Sequence, residues 1–161
     1  MPRVLCTIIE LCVFKRTRQG PLFLMLQRAQ TETLYPGMWQ IITGKIKRKE
    51  KAVATALREL REETGLTAER FWVVPIVGSF FDPRSDSVQM TPLFAAEVSI
   101  AAEPTLSEEH EGYEWANLNR ACELLVWPGH VNAVQAVNTY IVAEREAAGL
   151  SELKTKSQKG K

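Results

Sequence analysis

Three glutamates, Glu59, Glu62 and Glu63, crowd into a stretch whose other features are helical. Val53, Ala56, Leu57 and Leu60 recur at i, i+3, i+4 and i+7, the stripe of an amphipathic helix. Gly65 followed by Leu66 is a helix stop, a glycine free to turn left-handed and then an apolar residue folding back. On such a helix the three carboxylates share a face apart from the apolar stripe, and neighbours three and four residues apart repel by a few tenths of a kcal/mol. The charge order is also the reverse of what the helix dipole favours. The glutamates lie at the C-terminal end, whereas Lys47, Lys49 and Lys51 crowd the N-terminal side. A solvated charged face, eased by Arg58 and Arg61, is the simple reading, but it leaves the reversed order unexplained. A cluster of oxygen donors is what Mg²⁺ or Mn²⁺ requires, and a divalent ion would turn the repulsion into coordination.

The elements that must position these groups alternate irregularly along the chain. Residues 4–14 ("VLCTIIELCVF") and 22–28 ("LFLMLQR") read as strands, the second apolar on both faces and so central in a sheet. "KRTRQGP" turns the chain between them, and a loop with Pro36 and Gly37 precedes the short segment "MWQIITG". After the helix, residues 71–81 and 92–100 read as two more strands, and "GYEWANL" as a short one. Helices are expected over residues 118–126 and 131–148, the latter striped by Val134, Val137 and Ile141. The fold class is therefore α/β, a mixed sheet with helices on both faces. The expected organisation is one domain over residues 1–150, with residues 151–161 a basic, disordered tail.

The chain's 161 residues, 45% hydrophobic and 24% charged, are those of a globular domain able to bury its own core. A net charge of +1 gives no global bias toward nucleic acid or anionic lipid, so RNA is not an expected partner. No apolar run approaches the roughly 20 residues of a membrane span, and the opening residues lack a signal-peptide cleavage pattern. Cys6, Cys12 and Cys122 are scattered and odd in number, which fits free thiols in the cytoplasm and no disulfide partner. A monomer or homodimer is expected.

The stretch "GKIKRKEKAVATALRELREETGL" resembles the Nudix box: Gly, five residues, Glu, seven residues, Arg-Glu-apolar-x-Glu-Glu-x-Gly-apolar. Gly44, Glu50, Arg58, Glu59, Leu60, Glu62, Glu63, Gly65 and Leu66 fill every specified position. Thr43 stands where many members carry a second glycine, and the following loop is basic rather than acidic; neither change removes a carboxylate of the box. The resemblance implies a Nudix α/β/α sandwich and a divalent-metal-dependent hydrolase attacking phosphorus with water. It implies Glu59 and Glu63 as first ligands of Mg²⁺ or Mn²⁺, and Glu62 as a further ligand or base. It also implies the Thr43 carbonyl completing the shell and Arg58 orienting the carboxylates. Glu50 is expected to anchor the loop rather than bind metal.

"SEEHEGYEW" resembles a segment of the family's nucleoside triphosphate and dihydroneopterin triphosphate pyrophosphatases, which implies Glu109 as an outside ligand or base, ahead of Glu108 and Glu111. Arg28, at a strand end, is a candidate phosphate clamp. Trp39, Gln40, Phe81 and Asp82, with Phe80, are candidates for contacting a base, weighed against ordinary packing. His110 and His130 are not assigned catalytic roles beside a complete metal box. The expected substrate is a nucleoside or pterin triphosphate such as dATP, cut to monophosphate and pyrophosphate. The alternatives are a dinucleoside tetraphosphate hydrolase and, from a different class, a non-catalytic ligand-sensing module.

Overall fold

The computed structural model describes residues 1–155. In chain order its elements are strands β1 (Arg3–Leu5), β2 (Ile8–Thr17), β3 (Gly20–Arg28), β4 (Trp39–Gln40) and β5 (Ile42–Lys45), then helix α1 (Ala52–Thr64). Strands β6 (Arg70–Asp82), β7 (Ser87–Glu97) and β8 (His110–Ala116) follow, then helices α2 (Leu118–Leu124) and α3 (Pro128–Ala136). A π-helical turn (Val137–Val142), helix α4 (Glu146–Ser151) and strand β9 (Glu152–Leu153) complete the described chain.

The strands form one mixed sheet in the order β4-β3-β2-β7-β6-β9, with β1 on β7, β5 on β2 and β8 on β3. Strands β1 and β2 run parallel to β7, and the remaining pairs are antiparallel. Strand β2 reads as a nearly unbroken apolar run because both of its faces are covered. Its alternate residues sort the two halves of the core. Cys12 and Phe14, with Phe23, Met25, Trp72 and Leu93, pack against Ala133, Val134, Val137 and Ile141 from α3 and the π-helical turn. Ile9, Leu11 and Val13, with Leu24, Leu26 and Phe94, pack against Ala56 and Leu60 of α1. The result is an α/β/α sandwich with a mixed sheet, as the sequence implied.

Three expectations need correction. The strand expected over residues 4–14 is two, interrupted at Cys6 and Thr7. Register slips by one residue between the Leu5–Gln89 and Glu10–Leu93 pairs, a bulge that lets both strands run along β7. The helix expected over residues 131–148 is broken: it widens into the π-helical turn and ends where Glu144 turns left-handed at φ 50°. There Arg16 Nη1 donates to the Val142 carbonyl at 2.9 Å, capping the end from the sheet. Of the segment expected as a tail from residue 151, the first residues are ordered. Glu152–Leu153 pairs with Trp72 and Phe71 of β6, and the Arg70 guanidinium grips Glu152 at 3.0 and 2.9 Å. Residues 156–161, the rest of that segment, lie outside the described residues.

Candidate metal and phosphoanhydride site

Helix α1 is built to carry charge on one side and core on the other. Ala56 and Leu60 are wholly buried against the sheet, and Gly65 ends the helix in the left-handed region at φ 67°, its N–H donating to the Arg61 carbonyl. Burying a leucine such as Leu60 contributes about 1.5–3 kcal/mol, enough to outweigh several like-charge pairs along the helix.

The close approach of helix and strand is set by Gly44 on β5. A Cβ there would stand 2.2 Å from Glu59 Cγ, so only glycine lets the Glu59 side chain lie against the strand. Arg58 binds the ladder together. Its Nε and Nη2 donate to Glu50 at 2.8 and 3.0 Å, and Nη1 donates to Glu59 at 2.7 Å and Glu62 at 2.8 Å. Nη2 also donates to the Lys45 carbonyl at 3.1 Å, which ties the helix to the end of β5. Glu50 additionally accepts from the Lys47 N–H at 3.1 Å, the loop-anchoring role expected of it, although it lies before the helix rather than on it. The Arg58 guanidinium and then that N–H hold its carboxyl down to about 2.

Glu63 is different in kind. It is 4% exposed, and its Oε2 is enclosed with no hydrogen-bond partner. Burial foremost, then the charges of Glu59 and Glu109, push its carboxyl up to about 9. Burial raises Glu59 as well, against the Arg58 hydrogen bond, with Glu62 and Glu109 adding repulsion. Glu109 therefore joins the cluster electrostatically although it lies far along the chain. It reaches the site because the Ala29 N–H donates to the Glu109 carbonyl at 2.9 Å where β8 begins its pairing with β3. Glu111 instead accepts from the Gln30 N–H at 3.1 Å and holds the loop, and Glu108 is exposed.

His110 follows Glu109 into the site. Its Nε2 lies 3.8 Å from Glu63 Oε2 and 3.2 Å from Gln40 Nε2. Burial, and then the Arg28 charge, hold the imidazole down to about 4, so it is neutral at pH 7. The Gln40 amide, the His110 ring and the Glu63 carboxyl thus form a buried polar row that the sequence did not single out as a unit. A histidine directly after the candidate outside ligand was the available signal.

Other residues named from sequence are placed less uniformly. Thr43 precedes Gly44 on β5 and pairs with Glu10. Arg28 donates to the Leu34 carbonyl and to Glu32, both at 2.7 Å, so its fork braces the loop while its charge still acts on Glu63. Trp39 is half-buried against the core on the α3 side of the sheet. Phe81 and Asp82 pair with Val88 and Ser87 at the tip of the β6–β7 hairpin. There the Asp82 carboxylate accepts from the Arg84 N–H and the Ser85 hydroxyl.

The donor set suits a hard divalent cation. An enclosed carboxylate oxygen without a donor, beside further carboxylates whose charges oppose its ionisation, is relieved by positive charge and not by another hydrogen bond alone. Among the described residues no three such side chains converge on a single point, because Arg58 holds Glu59 and Glu62 by their oxygens. Coordination therefore asks those side chains to share Arg58 with the ion.

Known proteins resemble the chain at several depths. It is 32% identical over 100 residues to an octanoyltransferase of Myxococcus xanthus, covering 58% of this chain but 26% of that one. It is 33% identical over 88 residues to the mouse asymmetrical bis(5′-nucleosyl)-tetraphosphatase, covering 53% of this chain and 60% of that one. The chain thus spans about a quarter and three fifths of these two relatives. A NUDIX hydrolase structure from Listeria monocytogenes superposes with a TM-score of 0.71 at 23% identity, over 84% of this chain and 93% of that one. The dihydroneopterin triphosphate pyrophosphohydrolase of E. coli superposes at 0.69 and 19% identity, over 90% and 100%. The NUDIX domain family pattern matches residues 8–137, from the start of β2 through α3 and across the whole carboxylate ladder. By that match, this chain belongs to the NUDIX domain family.

Proposed function

We propose that the protein is a hydrolase of phosphoric anhydride bonds, acting with Mg²⁺ (or Mn²⁺) on a nucleoside or pterin triphosphate such as dATP to give a monophosphate and pyrophosphate. The observation that carries this reading is Glu63: a buried carboxylate oxygen with no donor, set among Glu59, Glu62 and Glu109. Glu59, Glu63, Glu109 and the Thr43 carbonyl are the groups that would hold the cation. Bound there, a divalent ion supplies charge neutralisation on the phosphates and acidifies a water.

The chain's own residues do the rest. Arg58, fixed at both ends by Glu50 and the Lys45 carbonyl, keeps the Glu59 carboxylate aimed across Gly44. Glu62, half-exposed, is held by Arg58 Nη1 at 2.8 Å with Lys47 Nζ 3.9 Å away, and it is the proposed base or further ligand. His110, neutral, accepts at Nε2 from the Gln40 amide and sits beside Glu63 without adding charge. Arg28 and Gln40 border this cluster, and with Trp39, which lies on the α3 side of the sheet, remain the proposed substrate-side residues. Phe81 and Asp82, at the hairpin tip, are not retained. The three free cysteines support a cytoplasmic setting.

A second reading, hydrolysis of a dinucleoside tetraphosphate, is favoured by the likeness to the mouse tetraphosphatase. Product analysis separates the two. The assay incubates the protein with Mg²⁺ and dATP, dihydroneopterin triphosphate or diadenosine tetraphosphate, each with and without EDTA. Pyrophosphate release that EDTA abolishes is the expected result. Preferential cleavage of the tetraphosphate selects the second reading. Turnover indifferent to EDTA overturns both, and Mg²⁺ binding with no turnover moves the chain to the ligand-sensing class.

A further inference from the structure

Between β7 and β8 the chain runs without helix or strand over residues 98–109 and ends at Glu109, the carboxylate that joins the ladder from outside it. This run crosses the C-terminal end of α1. The Thr105 N–H donates to the Thr64 carbonyl at 2.8 Å and the Ser107 N–H to the Glu63 carbonyl at 3.1 Å, filling acceptors that the last turn of a helix leaves open. The same segment therefore grips Glu63 through its backbone and sets Glu109 beside it.

A stretch this long without regular structure belongs to the least stable parts of a fold. Here its middle is pinned at Glu103, on which three side chains converge. Lys15 Nζ donates to Oε1 at 3.0 Å, Tyr113 Oη donates to Oε2 at 2.9 Å, and Trp115 Nε1 donates to the same Oε2 at 3.3 Å. Lys15 Nζ also donates to the Ala102 carbonyl at 3.3 Å and lies 4.2 Å from the centre of the Trp115 ring. Lys15 follows Leu11 and Val13 on the α1 face of β2 and is only 6% exposed. An apolar residue would fill that place without desolvating a charge. A lone ion pair at the rim contributes little, but this carboxylate takes donors from two strands, β2 and β8. Tyr113 and Trp115 belong to the strand that begins with His110. The Glu103–Tyr113 contact thus closes a ring across ten positions of the chain, with Glu109 inside it. Glu109 is held again where its carbonyl accepts from the Ala29 N–H at 2.9 Å. Closing a long loop into a short ring removes most of the positions its tip could take, and directed hydrogen bonds fix one register where an apolar contact would let the loop slide.

Resting on the hydrolase reading above, we propose that Glu103, with Lys15, Tyr113 and Trp115, is a positioning clip for that reaction: it holds residues 98–109 down on α1 and keeps Glu109 within reach of a divalent ion shared with Glu59 and Glu63. The four residues act through the loop and not on the substrate. With the clip released, the loop lifts, the Ser107–Glu63 hydrogen bond breaks, and the ion loses one carboxylate.

The test uses the full chain without nucleotide. Mn²⁺ affinity is read from the electron paramagnetic resonance signal of the free ion, and loop opening from amide exchange at Thr105 and Ser107. In Glu103→Ala both amides should exchange about tenfold faster or more, and Mn²⁺ should bind about 10- to 100-fold more weakly, with an unchanged circular dichroism spectrum. With substrate and Mg²⁺, kcat should fall by a similar factor while KM for the triphosphate holds. Glu103→Gln, whose amide oxygen still accepts from Tyr113 and Trp115, should recover most of the Mn²⁺ affinity. If Glu103→Ala does not fold, Tyr113→Phe, which removes one donor from an exposed side chain, should show the same changes on a smaller scale. Faster exchange with unchanged Mn²⁺ affinity makes the clip a structural contact only and overturns the proposal, as does unchanged exchange in Glu103→Ala. Wild-type protein that binds no Mn²⁺ removes the metal reading, and the clip's role falls with it; wild-type binding that Glu103→Ala matches removes the clip alone.

Discussion

Replacing Glu63 by glutamine tests the physical basis of the site more directly than an activity assay. The carboxyl titrates at 4.5 when free and at about 9 in the fold, because burial and the charges of Glu59 and Glu109 oppose its ionisation. At pH 7 the unfolded chain has released this proton and the folded protein retains it. Folding must therefore take up a proton against a pH well above 4.5, which costs at most about 3 kcal/mol at roughly 1.4 kcal/mol per pH unit. The sign is that of an acid with a raised folded pKa: the cost is absent below pH 4.5 and grows as pH rises toward 9. Glutamine keeps the shape and removes the titration. In EDTA at pH 7, Glu63→Gln should thus be more stable than wild type, by up to about 6–12 °C in Tm for a chain of this size. The difference should shrink as pH is lowered toward 5. Saturating Mg²⁺ should raise the wild-type Tm and leave the variant nearly unmoved, and the variant should lose most of its turnover. The assay is a thermal melt from pH 5 to 8 with EDTA or Mg²⁺, paired with phosphate release. A variant no more stable than wild type in EDTA, with the same pH slope, would refute the buried-carboxylate account. Unchanged activity would remove Glu63 from the metal site.

Three further outcomes follow from named contacts. Arg58→Lys retains the charge but cannot bridge Glu50, Glu59 and Glu62 at once. Its kcat should fall about 10- to 100-fold, the usual cost of losing a ligand-orienting partner, with a folded circular dichroism spectrum. Gly44→Ala drives a methyl into Glu59 Cγ and should cost about 1–3 kcal/mol in denaturant melts along with the Mg²⁺-induced rise in Tm. His130 is held down to about 4 by burial, so folding becomes less favourable as pH drops below 6.5, where the unfolded ring takes up a proton first. His130→Gln should flatten the wild-type loss of Tm between pH 6.5 and 5, and an unchanged slope would assign that loss elsewhere.

Much of the site could be read directly from residue order, because a helix is a local object. The Val53–Leu60 stripe, the Gly65 stop and the reversed charge order are set by spacing alone, and α1 runs from Ala52 to Thr64 as they imply. The identity of Gly44 could also be read, although its reason, the Glu59 side chain lying against it, is a contact between two elements. What the helix pattern could not decide is depth. Glu62 and Glu63 are adjacent on one charged face, yet the Glu62 side chain is 53% exposed and that of Glu63 6%. That difference is made by β8, which brings Glu109 and His110 over the end of the helix through a register with β3 that nothing local to either segment specifies. The same holds for Glu10, which sequence shows as one polar residue in an apolar strand. Only the parallel pairing of β2 with β7, and the packing of α3 across them, seat it beside Thr91 and His130 in a cavity. Periodicity fixes which face a side chain takes; pairing between distant strands fixes what that face meets, and here it decides which carboxyls are buried.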